Sequence, residues 1–316
     1  MSQVRLYLTE NCNASCPWCF NKNTRDPEKD MDTKKCLQLI DYLAANKVDR
    51  LQIMGGEPTL HPDFVEIYKY AFPKFRKVSL FTNGLHKEVL KQIPLSYSSG
   101  LNINFNFVDE NIDPDIVRQW TPLTTEVVIR RETDVKSLID KMTKVHNTVV
   151  DLEGYIMFNL TIDCTLDVFK YKDEIFPKVE EIFDWALQHP EYHFGWDHRY
   201  PRCLMSDSFL QKSVQLKCKP YDKEHNFYMI NFCLGYTTCA GLITADFRLT
   251  HCNQYQGNYL PIFNEDGSII SYNKFRNFLA VESMAKYSSL QNSSCMECEY
   301  YMAKCNGGCV AHKFEH

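Results

Sequence analysis

The sequence has no run of apolar residues approaching the roughly 20 that a membrane-crossing helix requires, and its first residues, MSQVRLYL, lack the long apolar core of a secretory signal. Neither a membrane partner nor export is expected, and a cytoplasmic location follows. A basic stripe is missing too: 35 Lys and Arg are dispersed among 40 Asp and Glu, for a net charge of −5. That leaves no electrostatic footprint for a phosphate backbone and excludes nucleic acid as an expected partner. His61, His86, His146, His189, His193, His198, His225 and His251 show no metal-ligand spacing, so surface or structural roles are expected for most of them. Cysteine, by contrast, is abundant. Fourteen cysteines in 316 residues, without a secretion signal, point to metal or redox chemistry in a reducing compartment rather than to a disulfide framework.

Their distribution implies two metal-bearing regions. Cys12, Cys16 and Cys19 lie in NCNASCPWCF near the start, a second group runs from Cys233 to Cys309, and Cys36, Cys164, Cys203 and Cys218 stand apart. The CxxxCxxC segment is rich in Asn and Ser and contains Pro17, the composition of a loop that can fold three thiolates around one small target. Three thiolates suit an iron–sulfur cluster with one iron left open. Zinc takes four protein ligands in structural sites and three plus water in catalytic ones, so the spacing alone does not exclude it. An apolar run at 4–8 precedes the cysteines, and a second at 51–54 leads straight into Gly55-Gly56-Glu57-Pro58.

Over the first 200 residues, short apolar runs alternate with amphipathic stretches, which predicts βα units and a parallel sheet. The pattern predicts strands at 4–8, 51–54, 77–81, 102–108, 155–162 and 192–196, with helices at 33–46, 63–72 and 170–188. A short extra strand at 127–130 and a helix at 134–146 complete the reading. In barrels built this way ligands gather at the C-terminal strand ends. The cysteine loop, GGEP and the Thr82-Asn83-Gly84 turn all fall there, so the three are expected to share one mouth.

The order strand, CxxxCxxC loop, helix, strand, GGEP resembles the radical S-adenosylmethionine (SAM) enzymes. The resemblance implies an α/β fold: a partial (β/α)6 TIM barrel over residues 1–200, followed by a small, loop-rich C-terminal iron–sulfur domain over 201–316. It also implies a 4Fe–4S cluster on Cys12, Cys16 and Cys19 whose open iron takes the amino and carboxylate groups of SAM. Reductive cleavage would then give a 5'-deoxyadenosyl radical that abstracts hydrogen from substrate, with an external electron donor such as flavodoxin or ferredoxin. Gly55 and Gly56 would let the backbone approach the ligand with no Cβ in the way, and Glu57 would pair with the methionine ammonium. Thr82 and Asn83 match the family's TNG turn. Asn104 and Asn106 stand where many relatives carry Ser and Asp to hold the ribose. Arg130 or Arg131 would neutralise the SAM carboxylate, against the alternative of a solvated surface pair. Asn159 and Thr161 are further candidates. Cys36, on an amphipathic helix, and Cys164, near a strand end, read as buried small hydrophobes.

From Cys233 onward the segments CLGYTTC (Cys233, Cys239), RLTHC (Cys252), CMEC (Cys295, Cys298) and CNGGC (Cys305, Cys309) resemble the SPASM extension of radical SAM enzymes. That resemblance implies one auxiliary 4Fe–4S cluster on Cys233, Cys239, Cys252 and Cys309 and a second on Cys295, Cys298 and Cys305, a crossed ligation that staples a core-poor domain. The chain departs from the pattern in three places. Phe247 replaces the usual Gly before the hairpin cysteine, and the spacer from Cys298 to Cys305 is one residue longer than usual. The sequence also ends at His316 without the later cysteine that completes the second cluster in relatives. Cys218, Cys203, His312, His316 or an open iron would fill that place. A zinc knuckle of Cys295, Cys298, Cys305 and Cys309 is the alternative. Cys203 and Cys218 are also candidates for the hydrogen-donating thiol that a peptide epimerase of this family keeps.

Extensions of the SPASM kind accompany enzymes that modify peptides by oxidation, crosslinking, thioether formation or epimerisation, so a peptide is the expected substrate. Relatives that mature sulfatases place an Asp directly after the hairpin cysteine. Here Asn253 stands there and cannot act as a base. The cysteine loop begins at residue 12, which leaves no room for the N-terminal leader-binding domain of many peptide-modifying relatives. The runner-up is therefore dehydrogenation of a small-molecule alcohol, a sugar or cyclitol. A non-enzymatic iron–sulfur or zinc scaffold is the third reading.

Overall fold

The computed structural model describes residues 3–19, 21–22, 25–94, 100–163, 165–196, 204–216, 241–250, 258–289 and 297. In chain order the first elements are β1 (Gln3–Tyr7), α1 (Thr33–Ala45), β2 (Arg50–Met54), α2 (Phe64–Ala71), β3 (Lys77–Thr82), α3 (Lys87–Leu90) and β4 (Gly100–Asn104). These are followed by α4 (Pro114–Gln119), β5 (Leu123–Ile129), α5 (Val135–Asp151), β6 (Ile156–Ile162), α6 (Lys172–Gln188), β7 (His193–Trp196) and α7 (Asp207–Gln215). The last are β8 (Leu242–Ile243), β9 (Arg248–Thr250), β10 (Leu260–Pro261) and α8 (Tyr272–Ser289). The chain divides into two compact units, Met1–Ile103 with Leu234–Lys286, and Asn104–Cys233 with Tyr287–His316.

In the first unit β1, β2, β3 and β4 are neighbours in that order and all parallel. Register places Leu6, Ile53, Leu80 and Leu101 in one row across the four strands, each fully buried. α1 buries Cys36, Leu39, Ile40 and Leu43, the i, i+3, i+4, i+7 stripe of a helix packed on one face. Each large apolar side chain buried there contributes about 1.5–3 kcal/mol at most. The Asp32 side chain caps this helix by accepting from Lys35 N at 2.8 Å. On the other edge of β1, β8 adds in parallel and β9 and β10 follow antiparallel. These C-terminal strands thus extend the sheet that the N-terminus begins.

In the second unit β5, β6 and β7 are parallel. β5 alternates strictly, with Leu123, Thr125, Val127 and Ile129 buried and the residues between them half-exposed. Phe158 and Phe194 share a row of the buried face, where Trp185 of α6 meets Phe194 edge-on at 6.3 Å and Phe183 meets Trp196 at 5.9 Å. The opposite face therefore carries the polar members Glu126, Arg130, Asn159 and Thr161. Among the described residues no helix is long and apolar enough to cross a membrane.

The α/β pattern expected from periodicity is present, with the short helices α3 and α4 added and with differences at three of the expected elements. The strand expected at 102–108 ends at Asn104, because the Asn104 side chain accepts from Asn106 N at 3.1 Å and turns residues 105–107 into a 3-10 turn. The short strand expected at 127–130 is the second half of the seven-residue β5. Its first half reads LTTE, where Thr and Glu hid the alternation. The helix expected to end at 146 runs on to Asp151.

Candidate functional site

Two glycines join the end of β2 to the start of the cysteine loop. Gly56 N donates to Thr9 O and Glu57 N donates to Asn11 O, each at 2.7 Å. A Cβ on Gly55 would lie 2.7 Å from Thr9 O, and one on Gly56 would land on the Asn11 carbonyl. The close approach these glycines allow here is backbone to backbone.

Glu57 is 1% exposed and acts as the hub. Its Oε1 accepts from Thr59 N at 3.1 Å, the Thr59 hydroxyl at 2.6 Å and the Thr82 hydroxyl at 2.7 Å, and its Oε2 accepts from Asn83 N at 2.6 Å. Thr82 Oγ1 in turn accepts from Gly84 N at 3.0 Å, which commits the hydroxyl proton to Glu57. All four donors are neutral, and among the described residues no cation pairs with this carboxylate. Its position is therefore fixed by the protein while its charge is left uncompensated. Asn83 carries the network onward by donating from Nδ2 to Asn13 Oδ1 at 2.7 Å.

The cysteine loop is closed at its base. Thr9 bridges Asp30 antiparallel, Glu10 N donates to Lys29 O at 2.9 Å, and Met31 N donates to Leu8 O at 2.8 Å. His61, also buried, steadies the far limb by donating from Nε2 to Met31 O at 2.8 Å while its Nδ1 accepts from Asp63 N. Cys12, Cys16 and Cys19 are all half-exposed, and Cys19 N donates to Cys16 O at 3.1 Å in a turn. Burial pushes the Cys16 thiol up, and the charges of Cys19 and Cys12 push it further. Beneath the loop, burial pushes the Tyr7 phenol up to about 12, and its oxygen accepts from Asn21 Nδ2 at 2.8 Å. Among the described residues no three His, Cys, Asp or Glu side chains are gathered closely enough to hold a metal ion. The donor chemistry nevertheless fits an iron–sulfur cluster. Three cysteine sulfurs on one loop are the soft donors that such a cluster takes.

The second unit holds the other expected contacts. Asn104 and Asn106 sit at the end of β4, where Lys141 of α5 donates to Phe105 O at 2.7 Å and lies over the Phe105 ring at 4.6 Å. Burial holds the Lys141 ammonium below its ordinary value, with Asp109 and Glu110 opposing. The two adjacent arginines differ. Arg131 is exposed, pairs with Glu174 at 2.9 Å and stacks on Tyr171 at 3.9 Å. Arg130 is half-buried, and its Nε donates to Asp163 Oδ2 at 3.2 Å. Asp163, 2% exposed, also accepts from Thr165 N and the Thr165 hydroxyl. Asn159 donates to Glu126 Oε1 at 3.3 Å, and Thr161 is buried on the same strand. Sequence reasoning did not single out Asn13, Thr59 or Asp163. The only signal for them was a short polar residue within two positions of a motif or strand end. Cys36 is fully buried and its thiol is pushed up to about 12 by burial. Cys164, Cys203, Cys218, Cys233, Cys239, Cys252, Cys295, Cys298, Cys305 and Cys309, with His312 and His316, lie outside the described residues.

Residues 6–155 match the model of the radical SAM superfamily. The chain is 24% identical over 330 residues to the mycofactocin maturase MftC of Mycobacterium ulcerans, covering 97% of this chain and 82% of that one. It is 30% identical over 234 residues to a probable GTP 3',8-cyclase of Pyrococcus abyssi, covering 72% of each. Its matches to a probable GTP 3',8-cyclase of Methanocella arvoryzae and a SAM-dependent nucleotide dehydratase of Selenomonas ruminantium span only 27% and 30% of those relatives. Among solved structures, Streptococcus suis SuiB bound to precursor peptide SuiA aligns with a TM-score of 0.61 at 14% identity, covering 98% of this chain and 72% of that one. Native anSMEcpe with bound AdoMet aligns with a TM-score of 0.61 at 14% identity, covering 100% and 92%. The chain belongs to the radical SAM superfamily. The superfamily's cofactors, a 4Fe–4S cluster and SAM, come with that membership, and the fold is the α/β radical SAM fold.

Proposed function

We propose that this protein uses SAM and a cluster on Cys12, Cys16 and Cys19 to abstract hydrogen from a peptide, giving a crosslink, thioether, oxidation or epimerisation. The observation that carries the reading is Glu57, a buried carboxylate held at the end of β2 by four neutral donors and, among the described residues, left without a cation. A fixed negative charge of that kind attracts an ammonium, and the amino group of SAM is the natural partner. Cys12, Cys16 and Cys19 would hold the cluster, which would supply the electron for splitting SAM into methionine and the hydrogen-abstracting 5'-deoxyadenosyl radical. Gly55 and Gly56 keep the loop against β2. Thr82 and Asn83 hold Glu57, and Arg130, steadied by Asp163, offers a guanidinium to a carboxylate. Asn104 and Asn106 offer amides to the ribose.

A peptide substrate is supported by the near full-length likeness to a mycofactocin maturase and by the shared fold of a protein solved with its precursor peptide. The likeness to a probable GTP 3',8-cyclase favours a small molecule as the second reading, within which we keep a sugar or cyclitol alcohol. We assign auxiliary clusters to Cys233, Cys239, Cys252 and Cys309 and to Cys295, Cys298 and Cys305, with residues 201–316 as their domain. Flavodoxin or ferredoxin is the proposed electron source and the cytosol the proposed location.

Anaerobic reconstitution followed by reduction tests the core of this reading. The expected product is 5'-deoxyadenosine, absent in a Cys12→Ala, Cys16→Ala, Cys19→Ala variant; zinc in place of iron, or intact SAM, overturns it. About twelve iron per chain marks three clusters and about eight marks two. Transfer of deuterium from a labelled peptide into 5'-deoxyadenosine selects the peptide, and transfer from a labelled alcohol selects the alternative.

A further inference from the structure

Thr9, Asn11 and Asn13 each accept a hydrogen bond from the neighbouring strand ends. Thr9 O takes Gly56 N at 2.7 Å, Asn11 O takes Glu57 N at 2.7 Å, and Asn13 Oδ1 takes Asn83 Nδ2 at 2.7 Å. The spacing of two is that of extended chain, so one segment is tied at every second residue as it enters the cysteine loop. The last tie is the only one made by side chains, and it falls immediately after Cys12.

The orientation of that tie is fixed from outside it. Asn83 Oδ1 accepts from Leu85 N at 3.0 Å, and a backbone N–H can only donate. The amide of Asn83 therefore presents its Nδ2 to Asn13, and Asn13 must answer with its oxygen. Asn83 is buried and its own N is bonded to Glu57, so the donor is rigid, whereas Asn13 is exposed.

We propose that Asn83 is a positioning residue for the cysteine loop: through Asn13 it sets the backbone that carries Cys12, and so couples the site of the SAM ammonium at Glu57 to the placement of the cluster. This rests on the reading that Cys12, Cys16 and Cys19 hold the cluster. The donor–acceptor order makes a specific demand on position 13, which needs an acceptor and not an amide as such. Asn13→Asp keeps the acceptor, while Asn13→Ala removes it without touching a buried group.

The test uses the full-length, anaerobically reconstituted protein. The change that SAM produces in the electron paramagnetic resonance spectrum of the reduced cluster is titrated, and iron release to a chelator is timed. Asn13→Ala is expected to weaken SAM binding by about 3- to 10-fold, the range one lost hydrogen bond provides, and to speed release of the SAM-responsive cluster; Asn83→Ala, which also loses the bond from Leu85 N, is expected to do so at least as strongly. Asn13→Asp is expected to stay within about twofold of wild type in release, and the Asn13→Ala, Asn83→Ala double variant to be no worse than Asn83→Ala alone. If Asn13→Ala matches wild type in both readouts while Cys12→Ala abolishes the SAM-responsive signal, the positioning role is wrong and the cluster assignment stands. If Asn13→Asp is as impaired as Asn13→Ala, position 13 does not act as an acceptor and the inference fails. A Cys12→Ala protein that keeps the signal overturns the cluster assignment and the inference with it.

Discussion

Glu57 and Asp163, a buried carboxylate taken from each unit, are handled in opposite ways. Among the described residues Glu57 is held by neutral donors alone, two backbone N–H groups and two hydroxyls. Asp163 faces the guanidinium of Arg130, which also pairs with Glu132. The first arrangement fixes a charge in place and leaves it for an incoming cation. The second neutralises the charge within the protein and spends the carboxylate on holding an arginine still. Burial alone does not say which role an acid has; the nature of its donors does.

The largest expected effect comes from removing the space on which the first arrangement depends. Gly56→Ala forces a methyl onto the Asn11 carbonyl, which has no flexible end to yield, and the loop cannot shift without losing the Gly56 N and Glu57 N bonds. A loss of about 3 kcal/mol is expected in chemical denaturation, with cluster retention abolished. Wild-type stability in this variant would mean that the two backbone ties do not hold the loop.

The carboxylates themselves can be compared directly. Glu57→Gln puts an NH2 group against donors, and Asp163→Asn does the same against Arg130 or Thr165, so each is expected to lose about 2 kcal/mol. SAM binding should separate them. Glu57→Gln is expected to lose more than about tenfold in affinity through the missing charge, whereas Asp163→Asn loses less because Arg130 remains. Equal losses in both would erase the distinction between a waiting charge and a neutralised one.

A smaller effect tests backbone strain at the β8–β9 turn. Phe247 has a φ of 59°, the left-handed conformation that Gly favours. Its ring is nearly buried, lies edge-on to Phe263 at 5.1 Å and has Lys35 at 6.0 Å, so side-chain packing offsets the backbone strain. Both Phe247→Ala and Phe247→Gly lose the ring, but only the glycine relieves the strain, and it should be more stable than the alanine by about 1 kcal/mol in thermal melts.

The smallest effect is a pH dependence at the ion bridge from the cysteine loop to the β8–β9 turn, where Lys29 meets Glu10 at 3.1 Å and Asp246 at 3.4 Å. Burial works to raise the Asp246 carboxyl, but the Thr244 hydroxyl, Lys29 and Arg248 together hold it below its usual value. A lowered folded value means the contribution is complete above the ordinary carboxylate range of about 4 and is lost as pH falls through the lowered value. The melting temperatures of wild type and Asp246→Asn should differ near neutral pH and converge in acid. A difference that persists in acid would remove the ionic account.

Much of this protein could be read one residue at a time. CxxxCxxC and GGEP name their own chemistry, and the α1 stripe Cys36, Leu39, Ile40 and Leu43 shows its buried face without any fold. β5 was half-hidden because Thr124, Thr125 and Glu126 interrupt its apolar members, although Thr125 proves as buried as Val127. Asn104 was read as strand interior, since nothing in NINFNF says that its side chain will cap the next turn.

The sequence by itself therefore determined the chemistry available, three thiols, a Gly-Gly-Glu turn and a set of strand-end amides, because residue type and local spacing suffice for that. Only the tertiary structure decided that Asn83 would meet Asn13, that Glu57 would be held by Thr82 and Asn83 and that Asp163 would claim Arg130. Each of these pairs joins segments far apart in the chain. Their partners are set by strand register and by how closely the backbones approach, and neither is written in any one stretch of residues.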